Sequence, residues 1–296
     1  MPVKIGTRGS KLALAQTETV IKRLAERGID ATFTIISTQG DTTTQVPLHE
    51  IGGQGVFVRA LDDAILEGKI DCAVHSMKDI PALRPPGLVT AAVLKRDSPA
   101  DFIAYNDTIA DVKILGTSST RRRAQLLRHD PELTIRDLRG NVDTRLRKLS
   151  EREYDGILLA EAGLQRLGLT IKGDPLNPEK FVPSPNQGTI AVVSRADPSL
   201  QEILSALDHP QTRTDVMSER AVMNELGGGC FTPMGIYCNA GRLIAEVLAL
   251  DGSRTERIET DIQDFDEARE QGRILRERAQ DLIDEAYKRL GITHGG

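Results

Sequence analysis

Three times within its first 150 residues the chain passes from a short apolar stretch, through a turn bearing hydroxyl or amide side chains and an arginine, into a helical pattern. The passages are TRGSKLALAQ (7–16), GTSSTRRRAQL (116–126) and LRGNVDTRLRKL (138–149). A strand that runs straight into a helix calls for a crossover, so the next strand lies parallel to the first. This commits most of the chain to an α/β fold. It also puts backbone N–H groups and arginines at the carboxyl ends of strands, where such sheets bind ligands.

The remaining pattern agrees. Hydrophobic spacing predicts strands at Val3–Thr7, Thr32–Thr38, Ile70–His75 and Leu88–Leu94, and helices over 11–27 and 55–67. The stretch 95–101 (KRDSPAD) reads as a hinge. A second α/β unit follows, with strands at Lys113–Thr117, Thr134–Leu138 and Asp155–Ala160 and helices over 120–129 and 141–152. Residues 172–188, rich in proline, read as a return linker to a strand at Thr189–Ser194 that rejoins the first sheet. The tail differs: 243–250 and 255–262 read as antiparallel strands, and 266–290 as a helix with Leu275, Ala279, Leu282, Ile283, Ala286 and Leu290 on one face.

Composition narrows the function. The net charge is −5, yet residues 113–150 hold ten lysines and arginines against four acids, which points to a specific anionic ligand. Aromatic residues make up 3% and tryptophan is absent, so a base-stacking nucleic-acid surface has little to build on. No apolar run reaches membrane-spanning length and MPVKIGTRGS lacks a signal-peptide core, so a cytoplasmic protein with no membrane partner is expected. The cysteines, Cys72, Cys230 and Cys238, form neither a disulfide framework nor a metal-ligand pattern.

Four places carry candidate chemistry. In the 116–126 passage the hydroxyls of Thr117, Ser118 and Ser119, the helix dipole, and Arg121 and Arg122 would face an anion; a capped helix with a solvated basic face is the alternative. In the 138–149 passage Arg139 and Arg145 repeat that shape, and in the first passage Arg8 and Ser10 do so more weakly. In AVHSMKDIP (73–81) Lys78 and Asp79 are either a surface ion pair or an acid–base carboxylate tuned by its neighbour. In NELGGGCFTPMG (224–235) Cys230 lies on a glycine-shaped loop, as a covalent handle or as a filler of a small apolar gap.

Taken in order, TRGSKLAL, GGQGVF (52–57), HSMKDIP, GTSSTRR, LRGNVDTRL, ILLAEAGLQRLGL (157–169), NQG (186–188) and GGGCFTPMG resemble the porphobilinogen deaminase (hydroxymethylbilane synthase) family nearly end to end. The resemblance implies two α/β domains like the lobes of type II periplasmic binding proteins and a smaller C-terminal α+β domain. The divisions are 1–96 with 189–208, 97–188, and 209–296. It implies a transferase that condenses four porphobilinogen molecules with release of ammonia, on a dipyrromethane cofactor held by Cys230 through a thioether, giving hydroxymethylbilane for tetrapyrrole (heme, porphyrin) synthesis. By the same resemblance Asp79 is catalytic. Asp79, Lys78, Thr117, Ser118, Ser119, Arg121, Arg122 and Arg145 contact the cofactor, and Arg8, Ser10, Arg139, Arg145, Arg166, Gln187 and Gly188 the substrate. A monomer is implied. The chain departs from the family's common residues at Gln54, Gly227 and Val193. The competing readings are a non-catalytic two-lobed anion-binding protein and a nucleic-acid-binding protein.

Overall fold

The computed structural model describes residues 2–37, 58–81, 84–227 and 232–291. Cys230 and Gln54 lie outside them. In chain order the elements are β1 (Val3–Thr7), α1 (Lys11–Ala25), β2 (Ala31–Ile35), α2 (Arg59–Leu66), β3 (Cys72–Ser76), β4 (Leu88–Val93) and β5 (Asp101–Tyr105). Next come β6 (Ile114–Gly116), α3 (Thr120–His129), β7 (Thr134–Arg136), α4 (Val142–Ser150), β8 (Gly156–Ala160), α5 (Glu161–Arg166) and β9 (Gly173–Pro175). The last are β10 (Ile190–Arg195), α6 (Pro198–Ser205), α7 (Pro210–Leu226), β11 (Met234–Asn239), β12 (Arg242–Leu248), β13 (Thr255–Asp261) and α8 (Phe265–Leu290).

Two compact units contain these elements. The first is Met1–Asp97 with Gln165–Leu169 and Gly188–Arg213. Its sheet has the order β2-β1-β3-β10-β4. β1 runs parallel to β2 and β3, while β10 is antiparallel to β3 and β4. Val20 and Leu24 of α1 bury against Val3, Ile5, Cys72 and Val74, which explains the spacing of apolar residues in the first helix.

The second unit is Ser98–Leu164 with Thr170–Gln187 and Thr214–Gly296. Its first sheet repeats the pattern as β7-β6-β8-β5-β9: three parallel strands, then an antiparallel strand, then a fifth. The fold is thus α/β with two equivalent sheets, one in each unit, and the second unit also contains a smaller α+β portion. That portion is an antiparallel sheet β11-β12-β13 against which α8 buries Leu275, Ala279, Leu282 and Ile283. Cys238 is one of the apolar groups filling this core. Gly252, at φ +74, lets the β12–β13 turn approach α3 so closely that a Cβ there would lie 2.5 Å from the Ala124 carbonyl oxygen.

Periodicity located ten of the strands and the helices α1, α2, α3, α4 and α8. It missed β5, which begins inside the expected hinge, β9, which lies in the expected linker, and β11. Pro99 and Asp101 look like loop residues, yet Asp101 is fully buried at the start of β5. It also gave no signal for α5, α6 and α7.

Candidate active site

In the first unit two adjacent parallel strands, β1 and β3, end side by side. After β1 come Arg8 and Ser10; Ser10 caps α1 by accepting from the Ala13 N–H at 3.3 Å. After β3 a single 3₁₀ turn, Met77–Asp79, carries half-buried Lys78 and exposed Asp79. Gln16 of α1 donates to Ser76 Oγ at 2.8 Å, tying the two strand ends together. The antiparallel strand β10 starts at the same place: Ile190 pairs with Ser76, and the Met77 N–H donates to the Thr189 carbonyl at 2.9 Å. The turn before β10 therefore brings Gly188 to the end of β3. Arg166 completes the group. Its Nη2 donates to the Gly188 carbonyl at 2.7 Å and its Nε pairs with Asp97 at 2.8 Å.

Charge is unevenly distributed here. Burial pulls the Arg166 pKa down, and the carboxylates of Asp97 and Asp79 act in the opposite direction. Asp79 is therefore within electrostatic range of Arg166. Beneath the strand ends, His75 is buried with no hydrogen-bond partner for Nε2. Burial, with the positive charges of Arg84 and Arg8, pushes its imidazole down to about 3. Arg84 is paired with buried Asp62 of α2.

The second unit repeats the arrangement at the ends of β6, β7 and β8. Ser119 caps α3, its hydroxyl accepting from the Arg122 N–H. Ser118 Oγ donates to the Leu138 carbonyl at 3.1 Å, and Thr117 Oγ1 accepts from the Ser119 N–H at 3.2 Å. Thus the α3 start is bonded to the segment leading into α4. Arg145, in α4, donates from Nε to the Gly140 carbonyl at 2.8 Å. Gly140 stands at φ +107, and a Cβ there would press on Thr144, which accounts for the glycine between Arg139 and Asn141.

Arg121 and Arg122 do not project into solvent as a helix start would suggest. Both are buried and both pair with Asp101, which the sequence did not single out. Arg121 Nη1 lies 2.7 Å from Asp101 Oδ2, and Arg122 Nη2 and Nε lie 2.6 and 3.0 Å from Oδ1. Gln187 Nε2 donates to the same Oδ1 at 3.0 Å. Burial pushes the Asp101 carboxyl up, but the two guanidiniums outweigh it and hold its pKa well below the usual carboxylate range. The same antiparallel logic operates here: β5 starts where β8 ends, Asp101 pairing with Ala160. Burial, then the charge of Arg122, brings the Arg145 pKa down to about 10.

A second buried carboxylate was also missed. Glu219 of α7 accepts from the Asn186 N–H at 2.6 Å and the Cys238 N–H at 2.8 Å. It joins the NQG segment to β11. Asp101 gives only the weak signal of an acid between Ala100 and Phe102, and Glu219, between Ser218 and Arg220, gives none from its chain neighbours.

The family model for the porphobilinogen deaminase dipyromethane cofactor binding domain matches residues 3–202, and that for the porphobilinogen deaminase C-terminal domain matches residues 213–281. The chain belongs to the porphobilinogen deaminase family. It is 52% identical to a probable porphobilinogen deaminase of Methanosarcina acetivorans, over 97% of this chain and 95% of the relative. Identity to the probable porphobilinogen deaminase of Archaeoglobus fulgidus is 47%, over 93% and 98%. Among solved structures it is similar to a periplasmic substrate-binding protein of an ABC transporter from Coxiella burnetii, with TM-score 0.43, 15% identity, and coverage of 71% of this chain and 94% of that one. At that score the likeness bears on no functional point. Membership makes the chain an enzyme of the transferase class and disfavours the non-catalytic alternative.

At two of the positions where a departure from the family's residues was expected, the local structure constrains the side chain. Gly227 ends α7 at φ +63, and a Cβ there would meet the Arg276 guanidinium at 3.0 Å. Val193 is fully buried in β10 between β3 and β4, where an acid would lose its hydration.

Proposed function

We propose that this chain condenses four porphobilinogen molecules head to tail, releasing ammonia at each step and hydrolysing the product to hydroxymethylbilane. The observation that carries the reading is the convergence of Arg8, Ser10, Lys78, Asp79, Gly188 and Arg166 on the paired ends of β1 and β3. A carboxylate is required where ammonium departs from the aminomethyl group, because positive charge then develops on the pyrrole. Asp79 fills that role as an exposed acid beside Lys78, and it passes protons between substrate and solvent. Arg8 and Arg166 hold substrate acetate and propionate groups, with Ser10 and Gly188 as polar neighbours.

The donor set of the second unit fits a dipyrromethane. That group presents several carboxylates, and the α3 start offers N–H groups, hydroxyls and a net positive cluster. Arg145, lowered by burial and then by a neighbouring cation, gains from an incoming anion. Thr117, Ser118, Ser119, Arg121, Arg122 and Arg145 would hold the cofactor, and Cys230 would anchor it through a thioether. Once bound, the cofactor supplies the pyrrole carbon that accepts the first substrate ring. A thioether resists exchange with cellular thiols, unlike a disulfide, which suits an anchor retained through turnover. We further propose a cytoplasmic monomer divided into domains at 1–96 with 189–208, 97–188 and 209–296.

Intact mass spectrometry with turnover assays tests this. The purified protein is expected to exceed its sequence mass by one dipyrromethane. Cys230→Ser should remove the excess mass and the activity. Asp79→Asn should keep the excess mass and lose about 100-fold or more in turnover, the scale of a general acid–base contribution. Full activity at the unmodified sequence mass would sink the reading.

A further inference from the structure

We infer that Asp101 is a positioning residue for the anion-binding end of the second unit, clamping the guanidiniums of Arg121 and Arg122 before any ligand arrives. The inference rests on the proposed reading that this helix start receives cofactor carboxylates.

Arginines in the first turn of a helix face the positive end of its dipole, and their long side chains ordinarily extend into water. Here both are about 95% buried, Arg121 at 5% and Arg122 at 6% exposure. Two adjacent guanidiniums repel, and burial without a counter-ion is costly. Asp101, at 0% exposure, resolves both problems with one carboxylate: Oδ2 takes Arg121 and Oδ1 takes two nitrogens of Arg122. The other anchors are backbone carbonyls. Arg121 Nη1 donates to Val182 at 2.9 Å and Arg122 Nη1 to Leu158 at 2.9 Å. Phe181 lies under the Arg121 guanidinium, 5.8 Å from its ring centre. Gln187 fixes Asp101 from the remaining side and also donates to the Pro99 carbonyl at 2.9 Å.

Every one of these partners belongs to the protein, so the orientation of the pair is set without a ligand. The rotamer entropy of two long side chains is then lost on folding and not on cofactor binding. Two cations and one anion leave a net charge of +1 in the cluster. That surplus is felt by Arg145, on the neighbouring helix start. Asp101 also couples the pair to the NQG segment, since Gln187 follows Asn186, which Glu219 holds.

The test compares wild type, Asp101→Asn, Asp101→Glu, Arg122→Gln and the double variant Asp101→Asn with Arg122→Gln. For each, thermal unfolding, the mass of the cofactor adduct and kcat/KM with porphobilinogen are measured. Asp101→Asn should lower kcat/KM about 100-fold, the cost of a misplaced binding group, and leave the adduct incomplete. Asp101→Glu should recover about tenfold of that loss. Because Asp101 acts partly through Arg122 and partly through Arg121, the double variant should lose clearly less than the product of the two single losses. Losses that multiply in the double variant would overturn the inference, as would Asp101→Asn protein with a full adduct and normal turnover. If both Asp101 variants fail to fold, the acid serves the fold alone and the inference fails. Wild type lacking both adduct and turnover would instead sink the functional reading, and the inference with it.

Discussion

His75 shows how one buried side chain makes stability depend on pH. Its imidazole is held down to about 3 by burial and by the charges of Arg84 and Arg8. In the unfolded chain it titrates near 6.5. The unfolded state therefore binds a proton first, and stability that is complete above pH 6.5 is lost as the pH falls from 6.5 towards 3. At pH 5 the loss is about 2 kcal/mol. His75→Gln removes this contribution, so the stability gap between wild type and variant should narrow by about 2 kcal/mol between pH 7.5 and pH 5. Denaturant titrations at the two pH values measure it, and an unchanged gap would exclude His75 as the titrating group. The histidine itself was visible in AVHSMKDIP, but its neutrality was not, because Arg84 and Arg8 reach it only through the fold.

Helix α3 is an element with two jobs. Its start carries Ser119, Arg121 and Arg122, and its far end is a docking surface for the third sheet. There Arg128 pairs with Glu246 of β12 at 3.0 Å, Arg257 of β13 lies 3.0 Å from the same carboxylate, and Gly252 sits against the helix backbone. Gly252→Ala meets both a left-handed φ and a clash with main-chain atoms that cannot swing aside. A destabilisation of about 2 kcal/mol or more is expected, read as a lowered unfolding midpoint. A variant as stable as wild type would mean the turn lifts off without cost. The helix itself was legible over 120–129 from its pattern. Its burial was not, since a run of three arginines after a hydroxyl-rich cap resembles a solvated face until β5 supplies Asp101.

At the scale of the whole molecule, buried carboxylates link segments far apart in sequence. Glu219 joins Asn186 to Cys238, Asp101 joins Gln187 to Arg121 and Arg122, and Glu246 joins Arg128 to Arg257. Glu219→Ala leaves two buried N–H donors without that acceptor, at about 1–3 kcal/mol each. A loss of about 2–6 kcal/mol in unfolding free energy is expected. A loss below about 1 kcal/mol would show that water replaces the carboxylate.

The sequence by itself determined the α/β class, the strand-to-helix turns and the family, because these follow from local periodicity and from motifs contiguous in the chain. Only the tertiary structure decided the roles of β5 and β10. Each enters its sheet antiparallel, so each begins where a parallel strand ends, bringing Asp101 beside Ala160 and Gly188 to the turn after Ser76. No local signal encodes that meeting. It arises from strand order, and strand order is settled by which apolar faces can be buried together.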